Sequence, residues 1–180
     1  MKARMMGVFG MLVVLVSCAR VDRSEAQKLV ARYDQAVIQA YRLNDVRRVD
    51  PVVLPDSVEG RRLTGLIGVR MDMGISLDAS LLSLQIMDVQ QKGGQLLVRA
   101  HERWSYRDRK MGTGAPVGQP SDDDYELEYR FQRQGRAWLV SETRFTAPPR
   151  VGRQATPWSA DVQTFHGVAS QAPEAKRSKP

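Results

Sequence analysis

The chain has 180 residues, of which 42% are hydrophobic and 26% charged, with a formal net charge of +7 and a single cysteine. That length holds one domain with appendages and excludes two full-sized ones, and the composition excludes wholesale disorder. Lys2 and Arg4 sit at the N-terminus, and the tail from Pro148 carries Arg150, Arg153, Lys176, Arg177 and Lys179 against Asp161 and Glu174, so only +2 remains on the body between. A nucleic-acid surface concentrates basic charge on one domain face, and no such excess exists here.

The chain opens with Lys2 and Arg4 and then the apolar run Met5-Met6-Gly7-Val8-Phe9-Gly10-Met11-Leu12-Val13-Val14-Leu15-Val16. These are the proportions of a secretory signal, and the run is shorter than the roughly 20 residues of a membrane-spanning helix. It ends in Leu15-Val16-Ser17-Cys18. This motif resembles a bacterial lipobox. The resemblance implies a signal peptide over 1–17, cleavage before Cys18, and lipid (palmitate among the acyl chains) on Cys18. Two or three acyl chains anchor a protein durably where one is marginal. Ala19 follows the cysteine where an aspartate would imply retention at the inner membrane. The lipoprotein resemblance therefore places the body at the outer membrane, facing the periplasm. With Cys18 modified, no thiol remains for a disulfide or a metal.

Residues 18–23 form a short linker. Ser24 with Gln27 has the form of a capping box. Ala26, Leu29, Val30, Tyr33, Val37, Ala40 and Tyr41 then recur at steps of three and four, which predicts a helix ending near residues 44–46. Lys28, Arg32, Asp34, Gln35 and Gln39 are assigned to its polar face. Tyr33 and Tyr41 are expected as core-facing rings with hydroxyls near a rim or pocket. Arg47-Arg48-Val49-Asp50-Pro51 and Leu54-Pro55-Asp56 break the pattern. Asp56 with Glu59 offers a second capping box for a glycine-interrupted helix over 56–73, with Gly74 as its stop and glycines that permit close packing.

From Ile75 the period changes to two. Leu82, Leu84 and Ile86 alternate with Ser83 and Gln85, Gly93-Gly94 turns, and Leu96, Val98, Ala100, Glu102, Trp104 and Tyr106 share one face of the next strand. A loop is expected over 108–124, with Asp122-Asp123-Asp124 as a solvated turn. A third strand alternates Tyr125, Leu127, Tyr129 and Phe131 on one face with Glu126, Glu128, Arg130 and Gln132 on the other. Gln134-Gly135 leads into a fourth strand over 136–146. Helices followed by two hairpins predict an α+β fold, with N-terminal helices packed on one face of a curved antiparallel sheet.

The element order, and the run from Tyr125 through Arg133-Gln134-Gly135-Arg136-Ala137-Trp138-Leu139-Val140, resembles the nuclear-transport-factor-2-like (NTF2-like) cone superfamily. This resemblance covers roughly residues 24–145. It implies a curved sheet wrapping the long first helix, with 24–147 as the cone-like domain. The superfamily holds isomerase- and dehydratase-like enzymes as well as binding and assembly modules, and fold alone does not separate them. The candidate pocket residues are Tyr33, Tyr41, Glu102, Trp104 and Tyr129. Glu102 would act as a general base if its face lines the cone. Its default is an outward turn by twist or bulge, or pairing with an arginine.

His101, between Arg99 and Arg103, belongs to the solvated face, and His166 lies in the tail. No metal site, nucleophile elbow or phosphate loop is legible, and no cofactor is expected. Residues 148–180 read as a disordered Pro/Ser/basic tail whose Trp158 and Phe165 are candidates for docking. The leading expectation is a lipid-anchored protein-binding or assembly module with an envelope protein partner, without nucleic acid or metal. The alternative is a small-molecule binder or weak isomerase- or dehydratase-type enzyme using the cone pocket.

Overall fold

A computed structural model describes residues 20–152. The lipobox and Cys18, the signal segment, and the tail residues Trp158, Phe165 and His166 lie outside them. Helix α1 spans Arg23–Leu43. Its cap is Asp22, whose carboxylate accepts the Glu25 N–H at 2.8 Å, so the helix begins two residues earlier than the Ser24 box predicts. Asn44 closes it in the left-handed conformation, with φ 48°. A 3₁₀ turn, Val46–Val49, leads to α2, Val58–Asp72. Ser57 caps α2 by accepting from Gly60 N. Glu59 is therefore free of capping duty and turns inward, fully buried. Of the three glycines of α2 only Gly60 sits close to neighbours, where a Cβ would stand 3.6 Å from Val53 Cγ1; at Gly65 or Gly68 it would meet nothing within 4 Å. Gly74, with φ +67°, ends the helix as expected.

The sheet comprises β1 (Ile75–Lys92), β2 (Gln95–Lys110), β3 (Pro116–Gln134), β4 (Ala137–Phe145) and β5 (Arg150–Val151). The first four run antiparallel in chain order, and β5 pairs with β3. The α+β class, with helices against a curved antiparallel sheet, is the one the periodicity predicts. The Gly93-Gly94 turn has φ of 57° and 76°, the double left-handed geometry of a tight hairpin.

Three features depart from simple alternation. In β1 the register slips between Leu81 and Ser83 and again between Ile86 and Asp88. Each bulge reverses which parity faces the helices, so Leu77 and Ala79 point inward, then Leu84 and Ile86, then Val89. Leu82, expected on the inner face, is the bulged residue and is 51% exposed. The second departure is that the expected loop over 108–124 is mostly strand: β2 runs to Lys110 and β3 starts at Pro116. Asp122-Asp123-Asp124 thus alternates across a sheet in place of forming a solvated turn. Asp123 is buried, accepting from the hydroxyls of Ser121 and Tyr125 and from Gly152 N, while Asp124 meets His101 on the outer face. The third is that Arg150–Val151, inside the stretch assigned to the tail, belongs to the sheet.

The core has two parts. The larger joins Ala26, Val30 and Tyr33 of α1, Leu63 and Ile67 of α2, and Ile86, Leu96, Val98, Ala100, Tyr129, Phe131 and Val140 of the sheet. The smaller holds Ile38, Leu77, Ala79 and Trp104 toward the other end. All four of the latter line a cavity.

Candidate functional site

The cavity, roughly 140 Å³, lies between α1, α2 and the concave face of the sheet. From α1 it takes Tyr33, Asp34, Val37, Ile38 and Tyr41, positions that share one helix face. From α2 come Arg62, Leu66 and Arg70; from β1, Leu77 and Ala79; from β2, Glu102, Trp104 and Tyr106; from β3, Tyr125, Leu127 and Tyr129; from β4, Thr143 and Phe145. All five tyrosines of the chain stand in this lining. The structure therefore brings together the five residues singled out from the sequence, Tyr33, Tyr41, Glu102, Trp104 and Tyr129.

At the inner end Glu102 is fully buried and Asp34 is 2% exposed. Glu102 neither turns outward nor pairs with an arginine. Strand β2 keeps one unbroken parity from Leu96 to Asp108, so position 102 has no bulge to rotate it. Its Oε1 accepts the Tyr129 hydroxyl, and its Oε2 accepts the Trp104 indole N–H at 2.8 Å. Tyr129 Oη also stands 3.4 Å from Asp34 Oδ1, so one phenol bridges two carboxyl groups. Asp34 Oδ2 is buried without a hydrogen-bond partner. Burial pushes the Asp34 carboxyl well above its ordinary value, and the neighbouring Glu102 charge adds to the rise. Burial raises Glu102 as well, against the hydrogen bonds from Tyr129 and Trp104 that favour its charged form. Glu102, with two donors, has the better-supported charge of the pair, while Asp34 has one long contact and an oxygen without a partner.

A third buried acid, Glu59, holds three residues of the cavity lining, Tyr33, Arg62 and Thr143. Glu59 accepts from Arg62, from the Tyr33 hydroxyl, and from the backbone N–H and hydroxyl of Thr143 at 3.1 and 2.8 Å. Burial pushes Glu59 up, but the Arg62 charge and these hydrogen bonds outweigh it and hold the group below its ordinary value. This one group ties α1, α2 and β4. A third pair, Arg70 and Asp108, joins α2 to β2, with both guanidinium Nη atoms 2.9 Å from Asp108 Oδ1. Arg70 also lies 5.7 Å from the Tyr41 ring centroid.

The remaining wall is aromatic. Trp104 and Tyr106 stack at 5.8 Å with an interplanar angle of 5°, Tyr106 stands 6.4 Å from Tyr125, and Tyr125 stands 5.3 Å from Phe145. The cavity thus presents aromatic and aliphatic carbon, with Asp34, Glu102, Arg62 and Arg70 as the charged groups in its lining. Among the described residues no group of three or more His, Cys, Asp or Glu is placed to hold a metal ion.

Comparison with known proteins bears on the frame around this site. No protein-family model and no curated protein matches the sequence. Among solved structures, the intermembrane-space region of the chloroplast protein ARC6 overlays with a TM-score of 0.63 at 18% identity, covering 72% of this chain and all of that one. The likeness is one of fold. An NTF2-like protein involved in plasmid conjugation overlays more loosely, with a TM-score of 0.47 at 15% identity over 74% of this chain and 51% of that one, too loosely to carry weight.

Sequence reasoning misses Asp34, Glu59, Arg62, Arg70 and Asp108. Asp34 had a legible signal: Val30, Asp34 and Ile38 are spaced by four and fall on one helix face, which places the aspartate among the buried positions. Glu59 had none, because a Glu three residues after Asp56 also fits a capping box.

Proposed function

We propose that this chain is a lipid-anchored envelope protein whose cone cavity grips one apolar or aromatic side chain of a partner protein. The observation that carries the reading is the match between cavity and single ring. A dry engineered cavity of about 150 Å³ holds one benzene, and this cavity, of roughly 140 Å³, is walled by the rings of Tyr41, Trp104, Tyr106, Tyr125 and Phe145. A buried aromatic anchor in a preformed pocket is the usual form of an interface hot spot.

The enzyme alternative draws on Glu102 and Asp34, whose raised proton affinities suit acid–base work. A general base must come within hydrogen-bond reach of the proton it removes. Both oxygens of Glu102 are engaged and buried, which favours binding over conversion.

The test places a photoreactive benzoylphenylalanine at Tyr41 in the full chain in its native membrane. The expected outcome is a discrete crosslinked adduct that is lost when Ala79→Phe fills the cavity. A crosslinking pattern unchanged by Ala79→Phe overturns the reading. The anchor has its own test: labelled palmitate enters the wild type and not Cys18→Ser, and labelling of the variant removes the lipid anchor from the proposal. Fractionation of envelope membranes then places the protein, with the outer membrane expected.

A further inference from the structure

The small net charge of the body hides where its charges stand. The turns at Gly93-Gly94 and Gln134-Gly135 lie side by side, since Arg133 N donates to Gly94 O at 3.3 Å. Residues 89–101 and 129–141, which build this end of the sheet, contain no aspartate or glutamate, and they carry Lys92, Arg99, Arg130, Arg133 and Arg136. Arg130 is paired with Glu142 of the neighbouring strand at 3.0 Å. Lys92, Arg133 and Arg136 are exposed at the turns, and none of the three joins an ion pair among the described residues. The entry to α1 meets the same end, where Val21 N donates to the Gln91 side chain at 2.8 Å and Arg23 to Met87 O at 3.2 Å. This brings the exposed Arg20 and Arg23 beside the turns, with Asp22 and Glu25 as the acids there. The opposite hairpin is balanced. Between residues 107 and 123, Arg107, Arg109 and Lys110 stand against Asp108, Asp122 and Asp123. Two of these groups are in ion pairs, Arg109 with Asp78 and Asp108 with Arg70, both at 2.9 Å.

Cations gathered at one end without counter-charges set up a field that attracts an anionic partner. Two observations say which anion. Arg20, at this end, stands two positions after Cys18 in the sequence, the residue the proposed anchor modifies. Trp138, half-buried, is on the same end with the Arg133 guanidinium 5.9 Å from its ring centroid, and an indole with one wet edge suits the headgroup level of a bilayer. We propose that Lys92, Arg133 and Arg136, with Arg20 and Arg23, seat this end of the cone on anionic phospholipid headgroups. The proposal rests on the lipid anchor, and adds to it: the anchor sets where the body is, and the basic end sets which way it points. Each lysine or arginine near an anionic leaflet favours contact about fivefold, and salt screens the effect. The cavity, lined by Ile38, Leu77 and Trp104, lies toward the opposite end, so this orientation turns it away from the bilayer.

The experiment uses the full lipidated chain, isotope-labelled at glycine for NMR, in phosphatidylcholine nanodiscs with or without phosphatidylglycerol. A gadolinium-chelating lipid in the disc broadens the amides nearest the surface. Gly93, Gly94 and Gly135 report on the basic end, and Gly112 and Gly114 on the opposite hairpin. With phosphatidylglycerol present, the first three resonances broaden and the other two do not. The broadening falls severalfold in phosphatidylcholine alone and on raising the salt concentration. Lys92→Glu combined with Arg136→Glu, both at exposed turn positions, produces the same loss, while Lys110→Glu at the opposite hairpin has no effect. Equal broadening at the two ends, broadening indifferent to phosphatidylglycerol, or a double variant that behaves as the parent overturns the proposal. In each of those cases retention of the chain on the discs leaves the anchor standing. A chain that the discs do not retain removes the anchor and the proposal together.

Discussion

Asp34 and Glu102 make the site's proton inventory a stability matter. Each has a folded-state pKa above its ordinary value, chiefly through burial. Such a group binds more protons folded than unfolded once pH exceeds the unfolded value, about 3.9 for Asp. Its stabilising contribution is complete below that value and is lost as pH rises through the folded one. The loss runs at most at about 1.4 kcal/mol per pH unit per group. Asp34→Asn removes one of the two, so its stability declines less steeply and the variant gains on the wild type toward the alkaline side. Urea midpoints between about pH 4 and 8 measure this, and parallel curves for the two proteins count against it. Glu102 was legible as a candidate because its strand keeps an even parity from Leu96 onward. Its partners were not, since the bond to Tyr129 crosses 27 residues and the approach to Asp34 crosses 95 between Asp34 and Tyr129. Distances of that kind are set by tertiary packing, not by local pattern.

At the scale of elements, two devices position the site. The first is Glu59, which joins α1, α2 and β4 through Tyr33, Arg62 and Thr143. Glu59→Gln leaves Arg62 without its counter-charge, and loss of one partner of a buried pair costs about 3–5 kcal/mol. Chemical denaturation reads the cost directly, and a loss within about 0.5 kcal/mol, the range of ordinary surface changes, removes Glu59 from this role. The second device is the pair of bulges in β1. Leu82 and Met87 are 51% and 52% exposed, although both are large and apolar. Leu82→Ser is therefore expected to change stability by no more than about 0.5 kcal/mol, as at other surface positions, while Ile86→Ser, fully inward, costs several times that. The periodicity of β1 located the strand but misassigned Leu82, because a bulge inserts one residue without leaving a mark in Leu81-Leu82-Ser83-Leu84, where leucines occupy both parities. The same limit hid the true extent of β2 and β3: a segment with Gly112, Gly114, Pro116, Gly118 and Pro120 reads as loop, yet Pro116 and Val117 pair with Arg109 and Asp108, and pairing resumes at Ser121 after a register shift.

For the whole molecule, the helices-then-hairpins order was enough to specify the architecture, because sequential antiparallel strands pair with their neighbours and leave one face for the helices. The sheet does not close on itself, and an open sheet has two edges able to recruit a strand from another molecule. On one side, residues 52–54 cover β4: Leu54 N donates to Val140 O and Val140 N to Val52 O, both at 2.8 Å. On the other side, the entry to α1 reaches the far half of β1, where Val21 N donates to the Gln91 side chain at 2.8 Å and Arg23 to Met87 O at 3.2 Å. The rest of that edge is broken by the bulge at Leu82. Deleting Leu82 joins Leu81 to Ser83 in plain alternation and keeps the inward set of Leu77, Ala79, Leu84 and Ile86, but it leaves a longer, flatter border. Light scattering on the deletion variant is expected to show concentration-dependent association absent from the parent. The irregularity that bends the sheet around its cavity is, at the same time, what denies an incoming strand a regular backbone border to pair with.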